Sequence, residues 1–345
     1  MAIFPDGPPA DFATRPAGRQ ETEDATSPIT RVCEEDPMPA AYAHITLVNL
    51  MDRKRLEGIS DFPRAAIAAV QSFLKFCELG AVSPDYPYLV LGDSRAARWA
   101  DLMHYQRTIE KIRIGVRHLR SIQGASGEKC LAWLLGYAAH VVADVVVHPV
   151  VNLKVGPYEE NKKDHRVCEM NQDVHLYARL NLGGIGRSEH LCSGIWACRD
   201  RDAPDRLDRD IEGLWCTMLR EAHPEEYGIN PPDPTLWHRG FDLVVDKVAE
   251  EGYRLFPFAR HVAADLGFAY PAEDDLDAQF LKGLWVPTGT QDYDTVIDAA
   301  LERIGSVWQW IARSALLGEE NELARAGEWN LDTGQDQSGR LVFWG

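Results

Sequence analysis

Three ionisable residues interrupt an otherwise apolar run between Leu131 and Val151, LAWLLGYAAHVVADVVVHPVV: His140, Asp144 and His148. They recur every four residues, so on an α-helix they share one face within about two turns. A second stretch, ENKKDHRVCEMNQDVHL, spaces His165, Glu169 and Asp173 in the same way. Imidazoles and carboxylates in apolar surroundings are costly unless something pairs with them, and a metal cluster would satisfy both stripes at once. Further nitrogen and oxygen donors stand upstream: His44 in AYAHITLVNLM, Asp85 in SPDYPYL and His104 in WADLMHY. The set His44, Asp85, His104, His140, Asp144, His148, His165 and Glu169 suits zinc or a similar divalent ion. Eight side chains are too many for one tetrahedral site and suit two or three ions that share a carboxylate. Asp144, central in its stripe, is the natural bridge. Blander readings stand beside this one. His44 reads equally as a hydrogen-bonded core histidine, Asp85 after Pro84 as a turn residue, His104 as a polar group on an amphipathic helix, and His165/Glu169 as an exposed helical pair.

The elements that must position these residues read as helices. Ala41 to Met51 is a short apolar segment. Asp61-Phe62-Pro63 is expected to start a helix that runs to about Leu79 and stops at Gly80, followed by a turn-rich loop, AVSPDYPYLVLGDS. One helix is expected from about Arg95 to Arg120, with Gly124 and Gly127 breaking the chain before the central helix. Pro149 is expected to stop the α conformation at His148. After the second stripe NLGGIG closes its helix, and further helices are expected near 205–222, 234–250, 255–267 and 292–318, the last with clear 3.6-residue apolar spacing. Alternating strands and internal repeats are not evident. The expectation is an all-α, single multi-helix domain over 39–325, preceded by a disordered leader (1–38) and followed by a C-terminal tail (326–345) folded back onto the domain.

The bulk numbers bound the function. Among 345 residues, 45% are hydrophobic, enough for a large core. The net charge of −17 disfavours general binding to nucleic-acid backbones or anionic membranes, although bound cations can reverse the field in one pocket. Seven scattered cysteines (Cys33, Cys77, Cys130, Cys168, Cys192, Cys198 and Cys216) form no CxxC pair. Cys192 and Cys198 could join, but reduced buried thiols are the simpler reading. The first twenty residues lack the apolar core of a secretory signal, which points to a cytoplasmic protein. The run 131–151 is long enough to span a bilayer, yet its ionisable residues favour a buried core helix over a transmembrane one. The ten tryptophans read as core packing. His118, His190, His223 and His238 stand in charged contexts expected to be exposed. His261 and Asp265 repeat the four-residue spacing with no second cluster to support them.

SPDYPYL, WADLMHY, GYAAHVVADVVVHP and HRVCEMNQD together resemble the zinc-dependent phospholipase C family, whose all-helical fold is shared with fungal single-strand-specific nucleases. The resemblance covers roughly residues 38–180. It implies one zinc held by Asp85, His104, His140 and Asp144, a second by His148, His165 and Glu169, and a third by His44 with the bridging Asp144. It also implies a hydrolase that attacks a phosphodiester with zinc-activated water, Asp85 orienting or deprotonating the nucleophile. Phospholipid head groups are that family's usual substrates. The alternatives are a zinc-dependent nuclease or nucleotide phosphodiesterase, which the acidic charge disfavours, and a non-catalytic metal-stabilised scaffold. Tyr86, Tyr88, Asn152 and Tyr158 lie close enough in sequence to line a substrate pocket. Two departures stand out. Secreted members complete the third site with an N-terminal tryptophan, and no tryptophan precedes His44 here. The step from Asp144 to His148 is also shorter than in those enzymes.

Overall fold

A computed structural model of the chain describes residues 41–90, 92–181, 194–240 and 270–344. The leader, NLGGIG beyond Asn181, Cys33, Cys192, His190, and the expected helix 255–267 with His261 and Asp265 lie outside these residues. The architecture is all-α. Its helices are α1 (Ala41–Leu50), α2 (Arg53–Glu57), α3 (Arg64–Ser72), α4 (Leu74–Val82), α5 (Ser94–Tyr105), α6 (Thr108–Leu119), α7 (Gly124–Val155), α8 (Tyr158–Tyr177), α9 (Arg209–Ala222), α10 (Pro224–Ile229), α11 (Tyr293–Leu317) and α12 (Glu322–Arg325). Residues 234–240 are also helical. Two short antiparallel hairpins accompany them: β1 (Leu284–Val286) with β2 (Gly289–Gln291), and β3 (Trp329–Asn330) with β4 (Gln335–Asp336).

The axis of the domain is α7. Its side chains are buried on every face from Cys130 to Val146, as expected of a helix that is apolar all round. It is long and apolar enough to cross a membrane, but 94% of its most apolar window is buried among the other helices. Helix α4 crosses it at backbone contact. A Cβ on Gly80 would sit 2.0 Å from the Trp133 carbonyl, and one on Gly136 would sit 1.9 Å from the Cys77 carbonyl. Gly80 therefore does not end a helix, as its sequence context suggests; it lies inside α4 because only glycine allows this approach. Helix α11 packs against α7 and buries Val296, Ile297, Ala300, Leu301, Ile304 and Trp308.

Several boundaries differ from expectation. The stretch 61–79 is two helices bent by 85° at Phe73, whose φ of −128° breaks the first. The turn-rich loop is instead the end of α4 followed by a 3₁₀-helix, Ser83–Leu89. The stretch 95–120 is also two helices, separated at Arg107 with φ of +52°. The end of the first is capped from the second by the fully buried Lys111, whose Nζ donates to the Leu102 and Gln106 carbonyls at 2.8 and 2.5 Å. The second is capped from far away: Glu328 accepts from the amides of Ile109 and Glu110. Gly124 opens α7 rather than breaking the chain before it. Pro149 does not stop that helix, which continues to Val155. The tail folds back as the hairpin β3–β4, anchored through Thr108, whose hydroxyl donates to the Trp329 carbonyl at 2.8 Å.

Several tryptophans pack as core residues: Trp133, Trp215 and Trp237 form a chain of rings 5.1–5.5 Å apart, and Trp308 is fully buried, whereas Trp196 and Trp285 are exposed. Cys77, Cys130, Cys168, Cys198 and Cys216 are free thiols. His118 pairs with Glu221 at 2.6 Å near the surface. His223 and His238 are buried rather than exposed. His223 lies edge-on to Trp99, and burial pushes it down to about 3. His238 is stacked between Tyr86 and Trp196, and burial pushes it down to about 4. Charged neighbours in sequence misled here because the surrounding aromatic rings come from distant segments.

Candidate metal centre

Five elements carry the eight candidate residues to one place. His44 comes from α1, Asp85 from the 3₁₀-helix after α4, His104 from the last turn of α5, His140, Asp144 and His148 from α7, and His165 with Glu169 from α8. Asp144 lies at the centre. Its Oδ1 is 3.3 Å from His44 Nε2 and 3.8 Å from His148 Nε2. Its Oδ2 is 3.0 Å from His140 Nε2 and 3.9 Å from His104 Nε2. Asp85 Oδ1 stands 3.0 Å from His104 Nε2 and 3.8 Å from His140 Nε2. On the other side, Glu169 Oε1 lies 4.0 Å from His148 Nε2 and 3.8 Å from His165 Nδ1. The donor atoms of His104, His140 and Asp144 fall within 4.8 Å of one another, and so do those of His44, Asp85 and His140.

The backbone orients the rings. His140 Nδ1 donates to the Ala81 carbonyl at 2.9 Å, His104 Nδ1 to Ala100 at 2.8 Å, and His148 Nδ1 to Leu331 at 3.0 Å. His165 uses the other nitrogen, Nε2 donating to Gly156 at 2.6 Å. A carbonyl can only accept, so each bond assigns the proton and leaves the opposite nitrogen facing the carboxylates. His44 stacks on His140 with centroids 4.0 Å apart, and its buried Nδ1 has no hydrogen-bond partner among the described residues.

The charges make the same point. Burial alone would raise the Asp144 carboxyl, but His140, His148 and His44 outweigh it and hold the group well below its ordinary range. Asp85 is likewise lowered, burial being overcome by His140, His104 and His44. Burial works against a charged His104, yet Asp85, Asp144 and the Ala100 carbonyl raise it to about 9. His165 is raised too, burial being outweighed by Glu169 and the Gly156 carbonyl. Imidazole nitrogens turned inward around ionised, buried carboxylates are the donor chemistry of a divalent-cation site, and the residues fit zinc.

Several groups outside the candidate ligand set support the site. Asp173, the third member of the α8 stripe, is fully buried and accepts from the Ala43 amide and the Tyr270 hydroxyl, both at 2.8 Å. It thereby ties α1 to α8 one residue before His44. The carbonyls of Ala81, Ala100, Gly156 and Leu331 belong to the backbone and are invisible to residue type. Of the suggested pocket residues, Tyr86 is buried against Trp215 and His238, away from solvent. Asn152 Nδ2 donates to the Asp332 carbonyl at 2.6 Å and so holds the C-terminal segment. Tyr88 and Tyr158 are partly exposed beside His104 and His165, with ring centroids 5.9 and 5.3 Å away.

A family model described as zinc dependent phospholipase C matches residues 39–225, more than half of the chain, and the chain belongs to that family. No curated protein and no solved structure matches it.

Proposed function

We propose that this member of the zinc-dependent phospholipase C family hydrolyses phosphodiesters, with phospholipid head groups as the substrate class, at the centre built around Asp144. The observation that carries the reading is one buried carboxylate facing four imidazoles, with a second carboxylate on each side. In this reading Asp85, His104, His140 and Asp144 hold one ion, His148, His165 and Glu169 a second, and His44 with Asp144 a third. Bound zinc supplies the positive charge that lowers the pKa of water towards neutrality and neutralises phosphoryl oxygens.

The chain's own residues do the rest. Asp85 is kept ionised by the imidazoles around it and has about 16% of its side chain exposed, so it can accept a proton from a water at the mouth of the site. Asp144, almost fully enclosed, keeps the imidazoles in fixed register rather than meeting solvent. Tyr88 and Tyr158, partly exposed beside His104 and His165, would offer ring faces to a head group. The acidic chain disfavours long polyanions, so a nuclease role is the weaker reading.

The test is metal content per chain together with hydrolysis of a small chromogenic phosphodiester before and after chelation. At least two zinc ions per chain are expected, with turnover abolished by chelation and restored by zinc. Fewer than one ion per chain, not raised by added zinc, would overturn the metal reading. Full zinc occupancy with no turnover of any phosphodiester would assign the centre to stability instead.

A further inference from the structure

The last residues of the chain lie outside the stretch matched by the family model, yet they pack beside the metal centre at His148. His148 is the most exposed histidine of the cluster, with 22% of its side chain open, and it sits just before Pro149. Proline lacks an amide, so this turn of α7 loses the bond that would hold the Val145 carbonyl. A segment almost two hundred residues away is packed onto this weak turn. Gly334, with φ of +66°, passes so close that a Cβ would stand 2.4 Å from Pro149 Cγ and 2.6 Å from the Val145 carbonyl. The Trp344 indole donates to the Val146 carbonyl at 2.9 Å, and Asn152 to Asp332 at 2.6 Å.

Leu331 joins two candidate ligands with its two peptide groups. Its carbonyl accepts from His148 Nδ1 at 3.0 Å, and its amide donates to the His104 carbonyl at 3.1 Å. Its position is fixed locally by Asn330, whose side chain accepts from the amides of Asp332 and Thr333 and whose carbonyl accepts from Gly334. On the near side Thr108 bonds both the carbonyl and the amide of Trp329.

We propose that the C-terminal segment Trp329–Trp344 is a working part of the metal centre, a strap whose Leu331 carbonyl holds His148 in the tautomer and orientation that turn Nε2 towards Asp144 and Glu169. The inference rests on the metal-centre reading above. It assigns positioning roles to Leu331, Asn330, Gly334, Asn152 and Thr108, none of which offers itself as a ligand. It also accounts for how α7 carries a usable histidine immediately before a proline.

The experiment titrates chelator-stripped protein with zinc against a chromogenic chelator, in the parent and in Gly334→Ala, Asn152→Leu and Thr108→Val. Loss of an outer partner of a metal-binding histidine weakens binding by about 10- to 100-fold. That loss is expected for one zinc only, with the other unchanged and the circular dichroism of the helices intact. Proton–nitrogen correlation spectra of the metal-free imidazoles supply a second readout. The Nδ1–H form of His148 should dominate in the parent and give way to a mixture in the variants, a change that a merely structural segment would not cause. Should Gly334→Ala fail to fold, Asn152→Leu and Thr108→Val decide, since each only removes hydrogen bonds. Parent-like zinc affinities and an unchanged His148 tautomer in these variants would overturn the strap. If the parent itself binds no zinc, the metal reading falls, while the tautomer comparison still decides whether the strap orients His148.

Discussion

Replacing Asp144 by asparagine removes one negative charge from the centre of the site while nearly keeping the side-chain volume. The carboxylate it replaces stands 3.0–3.9 Å from four imidazole nitrogens, two on each oxygen. If Asp144 is shared by two ions, each loses a direct ligand. Even an outer partner of a ligand is worth about 10- to 100-fold in affinity, so a loss of at least about 100-fold over the pair, ~2.7 kcal/mol, is the minimum. Turnover should fall by about three orders of magnitude or more, ~4 kcal/mol of transition-state stabilisation. Competition with a chromogenic chelator reads the first effect and hydrolysis of a small phosphodiester the second. Metal-free protein gives an independent check. The Asp144 carboxyl, held well below its ordinary value, contributes stability that is present above the unfolded value and lost as pH falls through the folded one. Parent and variant should therefore differ at neutral pH and converge in acid. The control is Asp173→Asn, one helical step beyond Glu169. It disturbs bonds to the Ala43 amide and Tyr270 hydroxyl and should cost about 1–3 kcal/mol of stability, with zinc still bound. Equal zinc affinity and turnover in Asp144→Asn and the parent would refute the shared-carboxylate reasoning. Zinc loss in Asp173→Asn alone would show that the ligand stripe on α8 had been assigned one turn too early.

Two further changes test the frame around the site. Gly136→Ala places a methyl group 1.9 Å from the Cys77 carbonyl and should lower the urea midpoint by the equivalent of about 3 kcal/mol or more; Gly213→Ala, in α9 with nothing within 4 Å, should instead raise it by about 0.5–1 kcal/mol, and equal behaviour of the two would refute the tight α4–α7 crossing. Burial lowers Lys111 to about 7, against the opposing pull of Glu328. From there up to the ordinary lysine value the unfolded chain holds a proton that the folded chain lacks, so stability should rise with pH, by at most about 1.4 kcal/mol per unit. Lys111→Met should lack this rise, and parallel stability–pH curves for parent and variant would refute it.

The helical class and the central apolar helix were legible in the sequence because both are local. A four-residue spacing on an apolar background needs no tertiary information to put His140, Asp144 and His148 on one face, and the same holds for His165 and Glu169. The order of the donors along the chain also carried the family, since that order is a property of sequence alone. What remained hidden was whatever depends on residues distant in the chain. Pro149 weakens a helix, yet α7 runs through it with Gly334 and Trp344 packed on the weak turn. Gly80 looks like a helix stop until the Trp133 carbonyl is found against it. Phe73 and Arg107 break helices whose apolar periodicity runs on across the break, because packing against α7 and the caps from Glu328 and Lys111 reward the bend. The meeting of His44, Asp85 and His104 with the α7 stripe is likewise a tertiary event, set by where α1 and α4 pack on the central helix and by the packing of α5 against the 3₁₀-helix that follows α4. Residue type and spacing determined which atoms could bind a cation; only the packed backbone, with its carbonyls aimed at one nitrogen of His104, His140, His148 and His165, decided which of those atoms face inward together.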